Sequence, residues 1–176
     1  MKIILAEKKD LVDIKEMYVK IINNMISNGI TIWNEYYPIE VFEEDIRENN
    51  LYLLKNNDVI LGAFALYEHK DIESDVKWKD TKAKAYLLNR VGVNVDYIRQ
   101  GIGQKLVEEA AKLAKEKGAK FLRLLVVKEN TPAIKLYDKC KFERVEGLHE
   151  EKIRDDYSLF EYAYEKDLNE SDVLYN

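Results

Sequence analysis

The chain contains four stretches in which apolar residues recur at spacings of three and four, the pattern of a helix with one buried face. The first begins near Asp10 and ends by Gly29, and a shorter one follows Pro38. Two more begin near Ile102 and near Thr131, where a threonine directly before a proline is expected to cap the helix. The sequence therefore predicts four helices.

Short apolar runs separate these helices and indicate strands. They cover residues 3–6, a hairpin from about 51 to about 67 with a turn at 56–58, and residues 85–95, 120–127 and 157–168. The run 120–127 is almost wholly apolar, as in a strand that is buried on both faces. Between residues 68 and 84 the chain is charged, and we expect a solvated loop that contains a lone Trp78.

The order of these elements is strand, two helices, three strands, helix, strand, helix and two strands, which predicts an α/β (α+β) fold with a mixed sheet flanked by helices. The 176 residues are enough for a substantial core, so we expect one domain over residues 1–176. Hydrophobic residues make up 47% and charged residues 35%, which is typical of a soluble globular protein. The apolar runs are too short for a membrane span or a signal peptide, so we expect no membrane partner and a cytoplasmic location.

The formal net charge of −5 argues against nucleic acid as a partner, because phosphate contacts need clustered lysine and arginine and here both signs are interleaved. It does not exclude a cationic small molecule. No metal site is expected, because Cys140, His69 and His149 are too few ligands for zinc. Cys140 lies on the apolar face of its predicted helix, so we expect a packed thiol rather than a nucleophile.

Two of only seven glycines, Gly101 and Gly103, stand at the start of the third helix. The first N–H groups of a helix have no partner within it and carry a partial positive charge, so they can bind phosphate. Glycine also lets the backbone come close to a ligand. The pair fits neither a P-loop nor a dinucleotide fingerprint, whose third glycine is replaced by Leu106. The residues alone leave two possibilities open, phosphate binding and a tight strand-to-helix turn.

The segment from about 85 to 142 contains several motifs in order: "RVGV" at a strand end, "DYIRQGIGQ" before a helix, "LLVV" at the next strand end, and "NTPAIKLYDKCKF". Together they resemble the GNAT superfamily of acyl-CoA-dependent N-acyltransferases. The N-terminal "KIILAEKKDLVDIKEMY" and the linker "GITIWNEYYP" are similar to bacterial members, so the resemblance spans most of the chain. It implies a mostly antiparallel sheet of about six or seven strands, about four helices, and two parting parallel strands that form a cleft for coenzyme A (CoA).

The resemblance implies acetyl-CoA as the cosubstrate, no metal, and a set of cofactor-binding residues. Val91, Gly92 and Val93 would hold the pantetheine arm along a strand end, and Asn130 would hydrogen-bond it. The pyrophosphate would lie on the N–H groups of the loop formed by Arg99, Gln100, Gly101, Ile102, Gly103 and Gln104. Relatives have Arg or Gln where this chain has Ile98, which removes a side-chain role there but leaves the backbone cradle. Without a cofactor, Gly92 would mark a strand bulge and Asn130 a turn or helix entry.

Tyr137 matches the tyrosine that in many relatives donates a proton to the departing thiolate of CoA. A phenol of pKa about 10 can share a proton with a thiolate. Because Tyr137 lies on the same helical face as Ala133 and Cys140, a role as a core aromatic is the alternative. No general base is implied, since Leu125 replaces the glutamate of some protein-acetylating relatives. Val93 or its neighbour would supply the N–H that stabilises an oxyanion.

In relatives, the linker between the first two helices covers the acceptor side of the cleft. Trp33, Tyr36 and Tyr37 are therefore candidates for acceptor contact, and Glu35 is a candidate base. Leu125 favours a small-molecule amine, such as a polyamine, an amino acid or an aminated metabolite, over the N-terminal amine or a lysine of a protein. We expect an acetyl-CoA-dependent N-acetyltransferase that is a monomer or a homodimer. The alternatives are a CoA-binding regulatory module with little catalysis and a dimerising protein whose glycine loop is only a turn.

Overall fold

One sheet of eight strands organises the part of the chain that the computed structural model describes, residues 1–70, 74–155 and 157–169. The strands are β1 (Lys2–Leu5), β2 (Leu51–Asn56), β3 (Val59–His69), β4 (Ala85–Val93), β5 (Phe121–Val127), β6 (Glu143–Arg144), β7 (His149–Arg154) and β8 (Tyr157–Asp167). The helices are α1 (Leu11–Ser27), α2 (Phe42–Arg47), α3 (Ile102–Glu116) and α4 (Thr131–Lys139). The predicted α/β fold, with four helices and a mixed sheet, is confirmed.

The strands lie in the order β1-β2-β3-β4-β5-β8-β6, and β7 also pairs with β8. Neighbouring strands are antiparallel except for β4 and β5, which are parallel. The sheet has more strands than the six or seven expected because β6 and β7 contain no apolar run. β6 is only two residues long, and the sequence "HEEKIR" of β7 is exposed except for a half-buried His149.

Helices cover both faces of the sheet and bury two apolar clusters. One cluster lies under α3 and α4 and includes Leu106, Leu122 and Tyr137. The other lies under α1 and α2 and includes Ile14 and Phe42. None of the helices in the described ranges is long and apolar enough to cross a bilayer.

The described residues of the stretch 68–84 are mostly exposed and irregular, as its charges suggested, but the stretch departs from a solvated loop in two places. Its first two residues belong to β3, and residues 71–73 lie outside the described part of the chain. Beyond them Val76 and Trp78 are buried. The charge pattern did not indicate the burial of Trp78, whose ring packs over the guanidinium of Arg123 with the central carbon of that group 4.8 Å from the ring centroid.

Two element boundaries also differ from expectation. β4 ends at Val93, two residues early, because the chain turns into a short 3-10 helix over Val95–Tyr97. Asn130, not Thr131, caps α4, since its Oδ1 accepts a hydrogen bond from the backbone N–H of Ala133 at 3.4 Å. Asn130 therefore stands at the entry to α4, the structural role that the sequence left open for it beside a cofactor contact.

Candidate functional site

β4 and β5 run side by side at one end and part at the other. Their parallel pairing covers only Ala85–Leu87 with Phe121–Arg123, which we call the closed end. From there β4 continues to Val93 beside β3 alone, and β5 continues to Val127 beside β8 alone. These parted halves form the open end, where the facing edges of both strands border a gap.

A bulge in β4 marks the open end. Arg90 has a φ of 51°, which is uncommon for a residue with a side chain, and the β3–β4 register shifts beside it between Ala63 and Ala65. The Arg90 guanidinium donates to Asp45 of α2, at 3.0 Å from Nε to Oδ2 and 2.9 Å from Nη2 to Oδ1. The Tyr67 hydroxyl also donates to Asp45. A nearly buried polar network therefore holds the bulge in place.

Helix α1 supports the same bulge. The Tyr18 hydroxyl donates to the carbonyl oxygen of Arg90 at 2.5 Å. Burial raises the pKa of the Tyr18 phenol, so it remains a donor. The Tyr18 ring lies against Gly92, where a Cβ atom would come within 2.7 Å of the ring. Gly92 thus permits the close approach of α1 to β4, which explains a glycine inside this strand.

The backbone of Val93 faces the gap. Asn94 donates its backbone N–H to the carbonyl oxygen of Leu61 at 3.0 Å, which makes these two residues a hydrogen-bonded pair of the β3–β4 ladder. Such pairs alternate with non-hydrogen-bonded pairs, so Val93 and its partner Gly62 form a non-hydrogen-bonded pair. The N–H and carbonyl of Val93 therefore point away from β3, toward the gap, where an extended ligand can bind them.

The N-terminus of α3 lies beside the open end. Its N-cap residue, Gly101, has a φ of 78°; no side chain of the described residues caps the helix, and its first turn contains no acidic residue. A Cβ atom on Gly103 would lie 3.2 Å from Leu136 and 3.6 Å from Val93, both of which line the adjoining cleft. Uncapped N–H groups at the positive end of a helix suit an anionic pyrophosphate.

The side chains of this loop differ in their surroundings. Arg99 and Gln100 are exposed, whereas Ile102 is buried in the apolar cluster under α3. Gln104 donates from Nε2 to Glu108 at 2.9 Å. The backbone N–H groups, rather than these side chains, are therefore the part of the loop that fits a pyrophosphate.

The open end widens into a cleft of about 1110 Å³. Of the predicted cofactor and catalytic residues, its walls include Val91, Gly92, Val93, Asn130 and Tyr137, whereas residues 99–104 are not among them. Tyr137 also packs in the apolar cluster and is 7% exposed. Burial raises the pKa of its phenol, so the hydroxyl is protonated at neutral pH and can act as a proton donor.

The far half of the cleft is bounded by the linker after α1 and by the hairpin of β7 and β8. Trp33 lines this half, as does Tyr37, whose hydroxyl oxygen accepts a hydrogen bond from Arg90 at 3.2 Å. Glu35 and Tyr36 are exposed and are not among the described residues that form the cleft walls. Of the four linker residues expected near an acceptor, the structure brings Trp33 and Tyr37 to the cleft.

The hairpin wall contains His149, Glu151 and Glu161, which no sequence motif connects with the cleft. Glu161 of β8 lies opposite both Val127 of β5 and His149 of β7, so the three side chains share one face of the sheet. The Nδ1 atom of His149 lies 2.9 Å from Oδ1 of Asp75, and its Nε2 atom lies 3.5 Å from Glu151. An imidazole surrounded by carboxylates therefore stands in the wall of the cleft.

Opposing effects set the pKa of His149. Burial lowers it, but the hydrogen bond and charge of Asp75, together with the charge of Glu161, outweigh burial and raise the pKa above its usual value. The same hydrogen bond lowers the pKa of Asp75. Sequence reasoning missed this pair because 74 residues separate the two side chains and neither belongs to a motif.

Several solved acetyltransferase structures have a similar fold. A GNAT-family acetyltransferase of Listeria monocytogenes gives a TM-score of 0.71 at 20% identity, with 94% of each chain covered. An N-acetyltransferase of Staphylococcus aureus gives 0.66 at 24% identity, with 95% of this chain and 98% of that one covered. The ribosomal-protein-S18-alanine N-acetyltransferase of Escherichia coli gives 0.68 at 18% identity, with 99% of each chain covered. At these identities the likeness concerns the fold alone.

The sequence itself matches one protein family. Comparison with curated proteins finds no significant match. The model of the acetyltransferase (GNAT) family, however, matches residues 18–142, well over half of the chain. The matched part includes β4, α3, β5 and α4, the elements that form the open end. The chain therefore belongs to the GNAT family of acetyltransferases and is an acyltransferase.

Proposed function

We propose that this protein transfers the acetyl group of acetyl-CoA directly to an amine of a small molecule bound in the far half of the cleft. The observation that carries the proposal is the continuity of the cleft, which joins the gap between β4 and β5 to the walls built by the linker and the hairpin. A donor in one half and an acceptor in the other can meet without a covalent enzyme intermediate. Cys140 supports direct transfer, because it is buried, does not line the cleft, and has a pKa raised by burial.

Backbone groups would hold most of the donor, which supplies the activated acyl thioester. The N–H and carbonyl of Val93 would bind the pantetheine arm as if it were another strand, and the N–H groups near Gly101 and Gly103 would bind the pyrophosphate. Asn130 uses its Oδ1 to cap α4, which leaves its Nδ2 group to donate to the arm. The Val93 N–H is also suited to stabilise the oxyanion that forms during transfer.

Tyr137 would donate the proton that the departing thiolate needs. To test this role we would replace Tyr137 by Phe, which removes only the hydroxyl. We expect the kcat to fall by about 10²-fold, the lower end of the usual contribution of a general acid, with little change in the Kd for acetyl-CoA. Tyr52→Phe is the matched control, since Tyr52 is buried in the same cluster, stacks on Phe64 and does not line the cleft. Full turnover by the Tyr137 variant would remove this residue from the mechanism.

The acceptor half combines apolar and acidic side chains. Trp33 and Leu159 provide apolar surface on opposite walls, and Glu151 and Glu161 provide negative charge. An ammonium-bearing molecule is attracted to such a surface. Leu125 lines the cleft at the position where some protein-acetylating relatives have a glutamate. These features favour a small amine with an apolar body over a peptide.

An acceptor panel with labelled acetyl-CoA would test the acceptor class. We expect turnover of alkyl monoamines and diamines, and weak turnover of amino acids, because their carboxylate meets the acidic wall. Turnover of peptides alone, through their N-terminus or a lysine, would overturn the small-molecule proposal. Failure to acetylate any amine, combined with a rise in Tm on adding acetyl-CoA, would instead indicate a CoA-binding module with little catalysis.

A further inference from the structure

We infer that His149, held in place by Asp75, accepts the proton that the acceptor ammonium must lose before it attacks. The inference rests on the proposed transfer to a small-molecule amine. An alkylammonium ion has no lone pair, so a group in the cleft has to take its proton first. The GNAT resemblance provides no such group, because Leu125 occupies the position of the relatives' glutamate.

The geometry of His149 suits a base. Its Nδ1 atom lies 2.9 Å and 3.2 Å from the two carboxylate oxygens of Asp75. A carboxylate accepts hydrogen bonds, so we assign the ring proton to Nδ1, which leaves a lone pair on Nε2 when the ring is neutral. The side chain is 17% exposed and lines the acceptor half of the cleft. Asp75 also accepts the backbone N–H of Glu150 at 3.0 Å, which fixes the carboxylate that orients the ring.

Four other charged or titratable groups in the walls are less suited to this task. Glu129 and Glu151 are mostly exposed, with side-chain exposures of 61% and 56%. Arg90 is bound by Asp45, and Tyr137 serves the leaving group. The groups that face His149 are Asp75 from the connection before β4, Glu151 from its own strand, and Glu161 from β8. Their negative charges stabilise the imidazolium that forms when Nε2 takes a proton.

The acceptor R–NH3+ gives one proton to Nε2 of His149, and the freed lone pair forms the N–C bond to the acetyl carbon while the C–S bond breaks. The second proton of the amine neutralises the departing thiolate, with Tyr137 as the relay. His149 then releases its proton to water, so one amide, one thiol and one proton are produced.

The sharpest test uses His149→Gln with two acceptors whose amines differ in basicity. One is an alkylamine that is protonated at the assay pH, and the other is an arylamine that is already neutral. We expect kcat/KM to fall by about 10²-fold for the alkylamine and by less than about 3-fold for the arylamine, which needs no base before attack. Glu146→Gln is the control, because Glu146 forms an exposed ion pair with Lys77 near Asp75.

Equal losses with both acceptors would indicate a structural role for His149 and overturn the inference, as would no loss with either. Wild-type turnover distinguishes this failure from that of the proposed function. If the wild-type protein acetylated no small amine, both the proposed function and the role of His149 would be wrong. If it acetylated the alkylamine but the variant lost the same kcat/KM with both acceptors, only the role of His149 would be wrong.

Asp75→Asn tests the positioning role through pH. A base must be unprotonated, so kcat/KM for the alkylamine should rise as pH increases through the pKa of His149. Asp75 raises that pKa, so its replacement should move the rise to lower pH, toward the ordinary histidine value of about 6.5. An unchanged pH profile would overturn the assignment. The expected result is a shifted profile together with a reduced plateau, because the ring loses the carboxylate that orients it.

Discussion

The closed and open ends of the β4–β5 pair are each anchored by an arginine bound to a carboxylate, yet the two anchors act differently on the backbone. At the closed end Arg123 Nε donates to Glu165 at 2.7 Å, and both side chains are fully buried. At the open end Arg90 binds Asp45, and both are nearly buried. Arg123 belongs to a regular strand and lies directly opposite Glu165, whereas Arg90 occupies a bulge with a φ of 51°.

The surroundings of the two arginines explain the difference. The Arg123 guanidinium also contacts His69 and the carbonyl oxygen of Asp80, and it lies against the Trp78 ring. These groups therefore bind one another within the protein. At the open end, in contrast, the backbone of Val93 is left for a ligand. One buried ion pair stabilises the joined strands, and the other holds β4 in the shape that keeps the strands apart.

The largest expected effect is at the closed end, where Glu165→Gln leaves the buried Arg123 charge without its carboxylate. We expect the free energy of unfolding to fall by about 3 kcal/mol, as measured by urea denaturation. The KM for acetyl-CoA of the folded protein should not change, because neither Glu165 nor Arg123 lines the cleft. Glu143→Gln is the control: Glu143 lies opposite Glu165 but pairs with Lys79 at the surface, so its loss should cost less than about 1 kcal/mol.

A smaller loss of stability is expected from Asp45→Asn at the open end. Burial raises the pKa of Asp45, and the charge of Arg90 opposes that rise without cancelling it. We therefore expect the Asp45 carboxylate to contribute less to the free energy of unfolding than the Glu165 carboxylate does. We expect a loss of about 2 kcal/mol. Unlike the closed-end change, this one should also raise the KM for acetyl-CoA, because the bulge that parts the strands loses its anchor. An unchanged KM would contradict the division of roles between the two ends.

The same comparison shows what the sequence could and could not predict. The helices and most strands were predictable because their apolar spacing is local, and the glycines at 92, 101 and 103 indicated the close approaches and the helix start. The ion pairs were not predictable, since Arg90 and Asp45 are 45 residues apart and each by itself suggests exposure. The burial of Trp78 within a charged stretch was not predictable either, since its ring packs against Arg123 of a distant strand. The contact of Asp75 with His149 likewise has no local signal.

Gly92→Ala tests how closely the open end is fitted to α1. The added Cβ atom would lie 2.7 Å from the ring of Tyr18, which is fully buried and cannot swing aside. We expect a loss of about 2 kcal/mol from overpacking and a weaker rise in Tm on adding acetyl-CoA. Tyr18→Phe is the companion variant: it keeps the ring but removes the hydrogen bond to the Arg90 carbonyl. A Gly92 variant that loses stability but responds normally to acetyl-CoA would show that the strand end tolerates a shift.

The smallest effect on stability is expected from alanine at Gly101 or Gly118. Comparing these two variants tests whether the glycine pair at the start of α3 binds phosphate or only forms a turn. Gly101 and Gly118 flank the same helix with φ values of 78° and 82°, and a Cβ atom on either would meet nothing within 4 Å. Alanine at either position should therefore cost about 1 kcal/mol through backbone strain alone. Only Gly101→Ala should raise the Kd for acetyl-CoA, by about 10-fold, because its Cβ would enter the space proposed for the pyrophosphate. Equal Kd values for the two variants, measured by calorimetry, would show that the Gly101 loop is a turn with no part in binding the pyrophosphate.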